Sequence, residues 1–156
     1  MGEPRWLDER EERAWRGYRQ MRDLLDLQIS RDLASNSGLS EADYAVLVVL
    51  SEAPNHRIRM TELRDRMLWS KSRLSHQLTR MEGRDLVYRE RTRAGSAGSA
   101  GVEAVLTANG ADVIRQAAPG HVESVRRHFI DLLTDEQVDA LADATTAIIR
   151  HLRTRT

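Results

Sequence analysis

The sequence lacks cysteine, and it contains no apolar run of the length that a membrane span requires. Without cysteine there is no disulfide framework, no thiolate zinc site and no thiol nucleophile. A membrane span needs about 18 apolar residues, and the opening residues, Met-Gly-Glu-Pro-Arg-Trp, lack the apolar segment of a secretory signal. We therefore expect a cytoplasmic protein with no membrane association.

The sequence also lacks the common signatures of catalytic sites. There is no P-loop, no G-x-S-x-G nucleophile motif, no H-E-x-x-H pair and no dinucleotide-binding glycine pattern. Among the five histidines, His121 and His128 lie two helical turns apart, and about 10 Å is too far for two ligands of one ion. We expect neither an enzyme nor a cofactor or metal site.

Charge is balanced overall but divided unevenly along the chain. The 156 residues include 24 basic and 24 acidic side chains. The segment 56–93 holds eleven basic and five acidic residues, a net charge of +6, so the remainder carries −6. A basic segment between acidic flanks is typical of a nucleic-acid-binding surface on a neutral scaffold.

Periodicity and capping residues predict a mainly helical chain with one small β-hairpin. Capping boxes are indicated by Ser40 with Asp43 and by Thr134 with Gln137. Pro119-Gly120 is expected to kink or split one helix. The predicted helices are 8–34, 41–52, 61–68, 71–83, 108–130 and 135–153, with a short strand at 56–60, hairpin strands at 86–93 and 102–106, and further N-caps at Thr61, Ser70 and Thr107.

The fourth predicted helix has the pattern of a DNA-recognition helix. At 100° per residue, Leu74, Leu78 and Met81 share one face and leave a short polar face outward. A helix-turn-helix followed by a basic hairpin can place such a face in the major groove. We assign Arg73 and His76 to base edges, Ser72 and Gln77 to polar contacts with bases or backbone, Ser70, Lys71 and Arg80 to phosphates, and Ser75 to the same outward face.

These residues resemble a known family. The run from Met60-Thr-Glu-Leu-Arg through Trp69-Ser-Lys-Ser-Arg-Leu-Ser-His-Gln-Leu-Thr-Arg-Met-Glu-Gly-Arg-Asp-Leu-Val, with Val105-Leu-Thr-Ala-Asn-Gly after the hairpin, is similar to the MarR family of bacterial transcriptional regulators, in its actinobacterial form. The resemblance implies a single domain over residues 1–156. Its parts would be an N-terminal dimerisation helix at 8–35, a winged helix-turn-helix lobe at 40–107 and C-terminal dimerisation helices at 108–153.

The resemblance also implies a partner and a ligand. Family members pair as homodimers on double-stranded DNA and often bind small aromatic or phenolic effectors. Trp15, Tyr18 and Met21 are candidates for an effector pocket, although a stripe at this spacing is more often a core or a dimer interface.

The tip of the hairpin departs from the family pattern. Residues 94–101 consist of Gly, Ser and Ala, whereas the family usually carries an acidic and a basic residue there. A natural loop and an engineered replacement both remain open. Arg89, Arg91 and Arg93 on the stem alternate onto one face, and we expect them to retain part of the DNA contact.

Together these features predict a sequence-specific double-stranded DNA-binding regulator. We expect a homodimeric repressor that occupies an inverted repeat and is released by a small-molecule effector. The alternative is a winged-helix protein-interaction module whose basic segment binds an acidic partner. Sequence preference and a steep loss of affinity with salt distinguish a DNA-binding regulator from a protein-interaction module.

Overall fold

The computed structural model describes residues 3–92 and 101–154. Within them the chain forms six α-helices, three β-strands and two short 3-10 turns at Pro54–His56 and Ile130–Leu132. The helices are α1 (Glu9–Ser37), α2 (Glu41–Glu52), α3 (Met60–Met67), α4 (Lys71–Glu82), α5 (Ala108–His128) and α6 (Asp135–Arg153), and the strands are β1 (Arg57–Arg59), β2 (Val87–Thr92) and β3 (Gly101–Leu106).

Local capping chemistry sets most helix starts. Capping boxes begin α2, at Ser40 with Asp43, and α6, at Thr134 with Gln137, as the sequence predicts. Ser70 caps α4 by accepting from the backbone N–H of Arg73. The prediction for α3 is wrong, since Arg59 is its N-cap and no side chain caps it. The helix begins where β1 ends, so its start follows the sheet and not a hydroxyl at Thr61.

The three strands form one antiparallel sheet in the order β1-β3-β2. β2 and β3 pair along their length from Val87 opposite Leu106 to Thr92 opposite Gly101. β1 pairs with the other edge of β3, with Ile58 opposite Ala104. The predicted hairpin is therefore part of a three-stranded wing, and α3 and α4 with the turn between them complete a winged helix-turn-helix.

The chain divides into two compact units. The first, Ser30–His121, is called the lobe here. The second, called the terminal unit, comprises the described residues before Ser30 and after His121. The lobe has a continuous apolar core, whose fully buried side chains include Val46, Leu47, Leu50, Leu63, Leu74, Leu78 and Met81.

The start of α5 rests against the connection between α4 and β2. A Cβ on Gly110 would lie 2.1 Å from the carbonyl oxygen of Leu86, so only glycine fits there. The Thr107 hydroxyl accepts from the Gly110 N–H at 2.8 Å, which confirms Thr107 as a cap, and donates to the Asp85 carbonyl at 2.6 Å. Pro119 lies inside α5, which is not split there.

Candidate nucleic-acid interface

α4 has a buried apolar face and an exposed polar face. Leu74, Leu78 and Met81 are buried in the lobe core, as predicted. The exposed side chains include those of Ser70, Lys71, Ser72, Arg73, His76 and Arg80, and Ser75 is partly buried. The helix therefore presents short hydroxyls, an imidazole and cations to the outside, which is the set of groups that DNA contacts use.

Gln77 lies on the other side of the helix, and here the predicted site needs correction. Its side chain is buried, and its amide nitrogen donates to the Asp43 carboxylate at 2.7 Å. Its carbonyl oxygen accepts from the Arg80 guanidinium. Because both ends of the amide are engaged inside the lobe, Gln77 joins α4 to α2 and is not available to a base.

Asp43 is the centre of this buried network. Its carboxylate accepts from the Ser40 backbone N–H at 3.0 Å and from Arg84 at 2.8 Å, in addition to Gln77. Burial alone would raise the pKa of Asp43, but hydrogen bonds from Ser40 and Arg84 outweigh it and hold the pKa below its usual value. An ionised carboxylate thus fixes the orientation of α4 relative to α2.

The cations near α4 differ in whether a carboxylate lies close to them. Four arginines have a carboxylate partner: Arg64 with Asp65, Arg66 with Glu62, Arg84 with Asp43, and Arg89 with Glu82. In the described part of the chain, no carboxylate lies within ion-pair distance of Lys71, Arg73 or Arg91. These three exposed cations have positive charge that no acidic side chain offsets, which is what a phosphate or a base acceptor needs.

Arg89 has partners within the chain, and its predicted contact with DNA stays a prediction. Its guanidinium contacts both carboxylate oxygens of Glu82, at 3.0 and 2.5 Å, and donates to Thr79 at 3.0 Å. A longer contact of 3.4 Å reaches the Ser75 hydroxyl. Hydrogen bonds from Arg89 lower the pKa of Glu82 and keep the pair ionised. In this state Arg89 ties β2 to α4 and covers Ser75.

Of the two remaining stem arginines, Arg91 lies within the described residues and Arg93 does not. Arg91 is exposed and lies opposite Val102 in the hairpin. The predicted contact of Arg93, and the Gly/Ser/Ala tip, fall within 93–100, outside the described residues. The interface that the structure describes thus comprises the outer face of α4 and, on strand β2 of the wing, Arg91.

Comparisons with known proteins agree with this architecture. The sequence model described as the MarR family matches residues 37–96. The structure of AbsC, a MarR family transcriptional regulator from Streptomyces coelicolor, is 45% identical, covers 97% of this chain and 99% of its own, and superposes with a TM-score of 0.88. The chain belongs to the MarR family. A comparison with curated protein sequences gave no match.

Two further solved structures similar to this chain contain bound molecules. Sco3205 from Streptomyces coelicolor, solved in complex with DNA, is 38% identical, with coverage of 97% and 93% and a TM-score of 0.88. The organohalide-sensing regulator RdhR, in its 2,4-dichlorophenol-bound form, shares the fold at 20% identity, with coverage of 97% and 86% and a TM-score of 0.76. MarR proteins are transcriptional regulators, and this chain is one of them.

The effector candidates lie on α1, in the terminal unit of this MarR protein. Trp15 and Tyr18 stack with ring centroids 5.9 Å apart. Both rings are about half exposed, at 51% and 48%, and Met21 is exposed at 39%. Their side chains are accessible in a single copy of the chain, and their role as a pocket stays a prediction.

The described residues hold no group of three or more metal-ligand side chains placed to bind an ion. None of the described helices is both long and apolar enough to span a bilayer.

Three residues position side chains of the interface, and the sequence analysis did not assign them this role. Asp43 positions α4, and Glu82 positions Arg89. Trp69 supports Arg73, whose guanidinium carbon lies 4.4 Å from the centre of the indole ring. The capping box identifies Asp43 as a helix cap, but nothing in the sequence links it to Gln77, 34 positions away. Glu82 and Trp69 have no local sequence signal for these roles.

Proposed function

We propose that this protein is a sequence-specific, double-stranded DNA-binding repressor that acts as a homodimer on an inverted repeat. The observation that carries the proposal is the group of exposed cations without described carboxylate partners: Lys71 and Arg73 on α4, and Arg91 on β2. The DNA complex of Sco3205, at 38% identity over nearly the whole chain, supports the same partner.

Exposed apolar side chains in the terminal unit support the homodimer. Trp15, Leu24, Ile148 and Leu152 are each at least half exposed in a single chain. Burying such side chains against a second copy removes apolar surface from water. Two copies would also place two α4 helices on one duplex, and a symmetric dimer matches a palindromic site. Acting on bacterial DNA, the protein would work in the cytoplasm.

The effector part of the proposal has a separate basis. RdhR binds 2,4-dichlorophenol within the same fold, and we extend ligand control of this kind to the present chain. Trp15, Tyr18 and Met21 are the candidate contacts for a small aromatic or phenolic compound. Titration of a phenol panel, followed by tryptophan fluorescence and by release from DNA, tests this part, and Trp15→Leu should weaken any binding observed.

Selection of random duplexes by the purified full chain at two salt concentrations tests the main proposal. We expect enrichment of an inverted repeat. We also expect affinity to fall with salt, by about 0.9 in log–log slope for each phosphate neutralised. No enriched sequence, together with strong binding to an acidic protein, would instead establish a protein-interaction module.

Single variants show which cations contact phosphate. Lys71→Ala and Arg91→Ala should each lower affinity for all duplexes and reduce the salt slope by about 0.9. The matched control is Arg127→Ala, since Arg127 pairs with Glu123 in the terminal unit. Equal salt slopes for Lys71→Ala, Arg91→Ala and Arg127→Ala would contradict the assigned surface.

A further inference from the structure

Trp69 and Arg73 form a cation–π pair at the start of α4. The Arg73 guanidinium carbon lies 4.4 Å from the centre of the Trp69 ring, within the distance at which the ring attracts a cation. Trp69 follows Leu68, the residue of left-handed backbone conformation that caps the end of α3. The backbone N–H of Trp69 donates to the backbone carbonyl oxygen of Arg64 at 3.2 Å. The Trp69 side chain is partly buried against the lobe core. Packing against the lobe core thus fixes the Trp69 ring, and Arg73 lies on the face of that ring.

This support leaves the Arg73 hydrogen-bond donors available. The other arginine of α4, Arg80, donates to the Gln77 carbonyl, and Arg89 donates to Glu82 and Thr79. An aromatic face attracts a guanidinium without supplying a conventional acceptor, so the N–H groups of Arg73 stay free for other partners. Arg73 is exposed, and no described carboxylate pairs with it.

Restricting an arginine before it binds lowers the entropy lost on binding. An arginine loses much rotamer freedom when it is fixed against a ligand, and a supported side chain has already lost part of it. The commonest specific partner of arginine in the major groove is guanine, through O6 and N7, and that contact requires a defined orientation of the guanidinium. A misplaced guanidinium still attracts phosphates but loses base discrimination.

We infer that Trp69 is a positioning residue which holds Arg73 for contact with a guanine in each half-site, and so sets base preference at one position of the operator. This inference rests on the proposed function, since it requires α4 to contact bases. It assigns to Trp69 a role in specificity, in addition to packing in the turn between α3 and α4.

Base preference at every operator position is the measurement that tests this role. Once selection has defined the site, each base pair is replaced in turn, and the affinities of wild type, Arg73→Ala, Trp69→Leu and Trp69→Phe are compared. Arg73→Ala should abolish the preference for guanine at one position. Trp69→Leu should reduce it about three- to tenfold at that same position, and Trp69→Phe, which keeps an aromatic face, should retain most of it.

Two controls separate positioning from packing. Trp6→Leu changes a tryptophan that is 82% exposed near the N-terminus and should leave the preference intact. In an Arg73→Ala background, Trp69→Leu should cause no further loss of affinity for the selected duplex, because a positioning residue acts only through its partner. Thermal unfolding of each variant shows which effects come from stability.

If Trp69→Leu does not fold, incorporation of fluorinated tryptophan tests the same interaction. Fluorine withdraws charge from the ring face and weakens the cation–π attraction while leaving the ring shape nearly unchanged. Incorporation should reduce guanine preference in the wild type and have no such effect in Arg73→Ala.

The outcomes distinguish the inference from the proposed function. If the wild type shows no sequence preference for any duplex, the proposed function fails and the inference fails with it. If the wild type is selective but Trp69→Leu and fluorination leave the guanine preference unchanged, or lower affinity for every duplex equally, only the inference is overturned.

Discussion

The lobe and the terminal unit contain similar helices but differ in where their apolar side chains lie. Among the described residues, every buried hydrophobic side chain falls between Leu33 and Ala117, inside the lobe. In the terminal unit α6 has no buried residue, and its Ile148, Ile149 and Leu152 are 58%, 48% and 59% exposed. The lobe has an apolar core within one chain, whereas α6 of the terminal unit leaves its apolar side chains exposed. The first is suited to holding a DNA-binding geometry and the second to association.

Matched leucine substitutions give the largest contrast. Leu47→Ala empties a fully buried site in the lobe and should cost about 3 kcal/mol of unfolding free energy at any protein concentration. Leu152→Ala removes the same atoms from an exposed site and should act only by weakening the dimer. Thermal unfolding over a hundredfold range of concentration, with sedimentation, checks both. A concentration-independent loss for Leu152→Ala would show that α6 is buried within its own chain.

Two glycines provide the next contrast. Gly110→Ala would place its Cβ 2.1 Å from the Leu86 carbonyl oxygen, and moving α5 away should cost about 2 kcal/mol or more. Gly17→Ala, in α1, meets nothing within 4 Å and should stabilise the helix by about 0.5–1 kcal/mol. Chemical denaturation measures both changes. Equal effects would mean that the contact between Leu86 and α5 is not as tight as described.

Two aspartates compare a buried carboxylate with an exposed one. Asp43→Asn disrupts the network with Gln77 and Arg84 and should cost about 1–3 kcal/mol near neutral pH. Asp131→Asn removes an exposed pair with Arg126 in the terminal unit and should cost less than about 1 kcal/mol.

The pH dependence of stability tests the same carboxylate. The pKa of Asp43 is lowered in the folded state. Its contribution to the free energy of unfolding is therefore complete above the unfolded pKa of about 3.9 and is lost as pH falls through the folded pKa. Denaturation between pH 2 and 6 should show a steeper acid loss for the wild type than for Asp43→Asn. Parallel profiles would contradict the network.

The smallest expected effect concerns His121, the last residue of the lobe. Its ring lies 4.3 Å from that of Tyr44, and its Nδ1 is buried with no hydrogen-bond partner among the described residues. Burial lowers the pKa of His121, so the folded state disfavours its protonation. The contribution of neutral His121 to the free energy of unfolding is complete above about pH 6.5 and declines as pH falls below that value. His121→Phe should flatten stability between pH 5 and 7, and an unchanged profile would place His121 in water.

Sequence analysis predicted those features that depend on neighbouring residues. The capping boxes at Ser40 and Thr134 and the inward face of α4 each require residues only a few positions apart, and all are confirmed. The start of α3 was predicted wrongly because the sheet, and not the Thr61 hydroxyl, determines where that helix begins.

The side-chain partners that sequence analysis did not identify belong to distant elements. At 100° per residue Gln77 lies near the edge of the buried face, and only its hydrogen bond to Asp43 decides the direction of its side chain. Arg89 has the alternation expected of an exposed wing cation, yet Glu82 and Thr79 from another element engage it. Charge and periodicity identify which surface is polar, but they do not show which cations already have partners.

The buried Asp43–Gln77 link has a consequence for protein engineering. Because Gln77 is buried, exchanging the whole helix for that of another regulator would remove the hydrogen bond between α4 and α2 together with the proposed base contacts. Libraries confined to positions 72, 73 and 76, with Asp43, Gln77 and Arg84 retained, would vary target choice while keeping the scaffold intact.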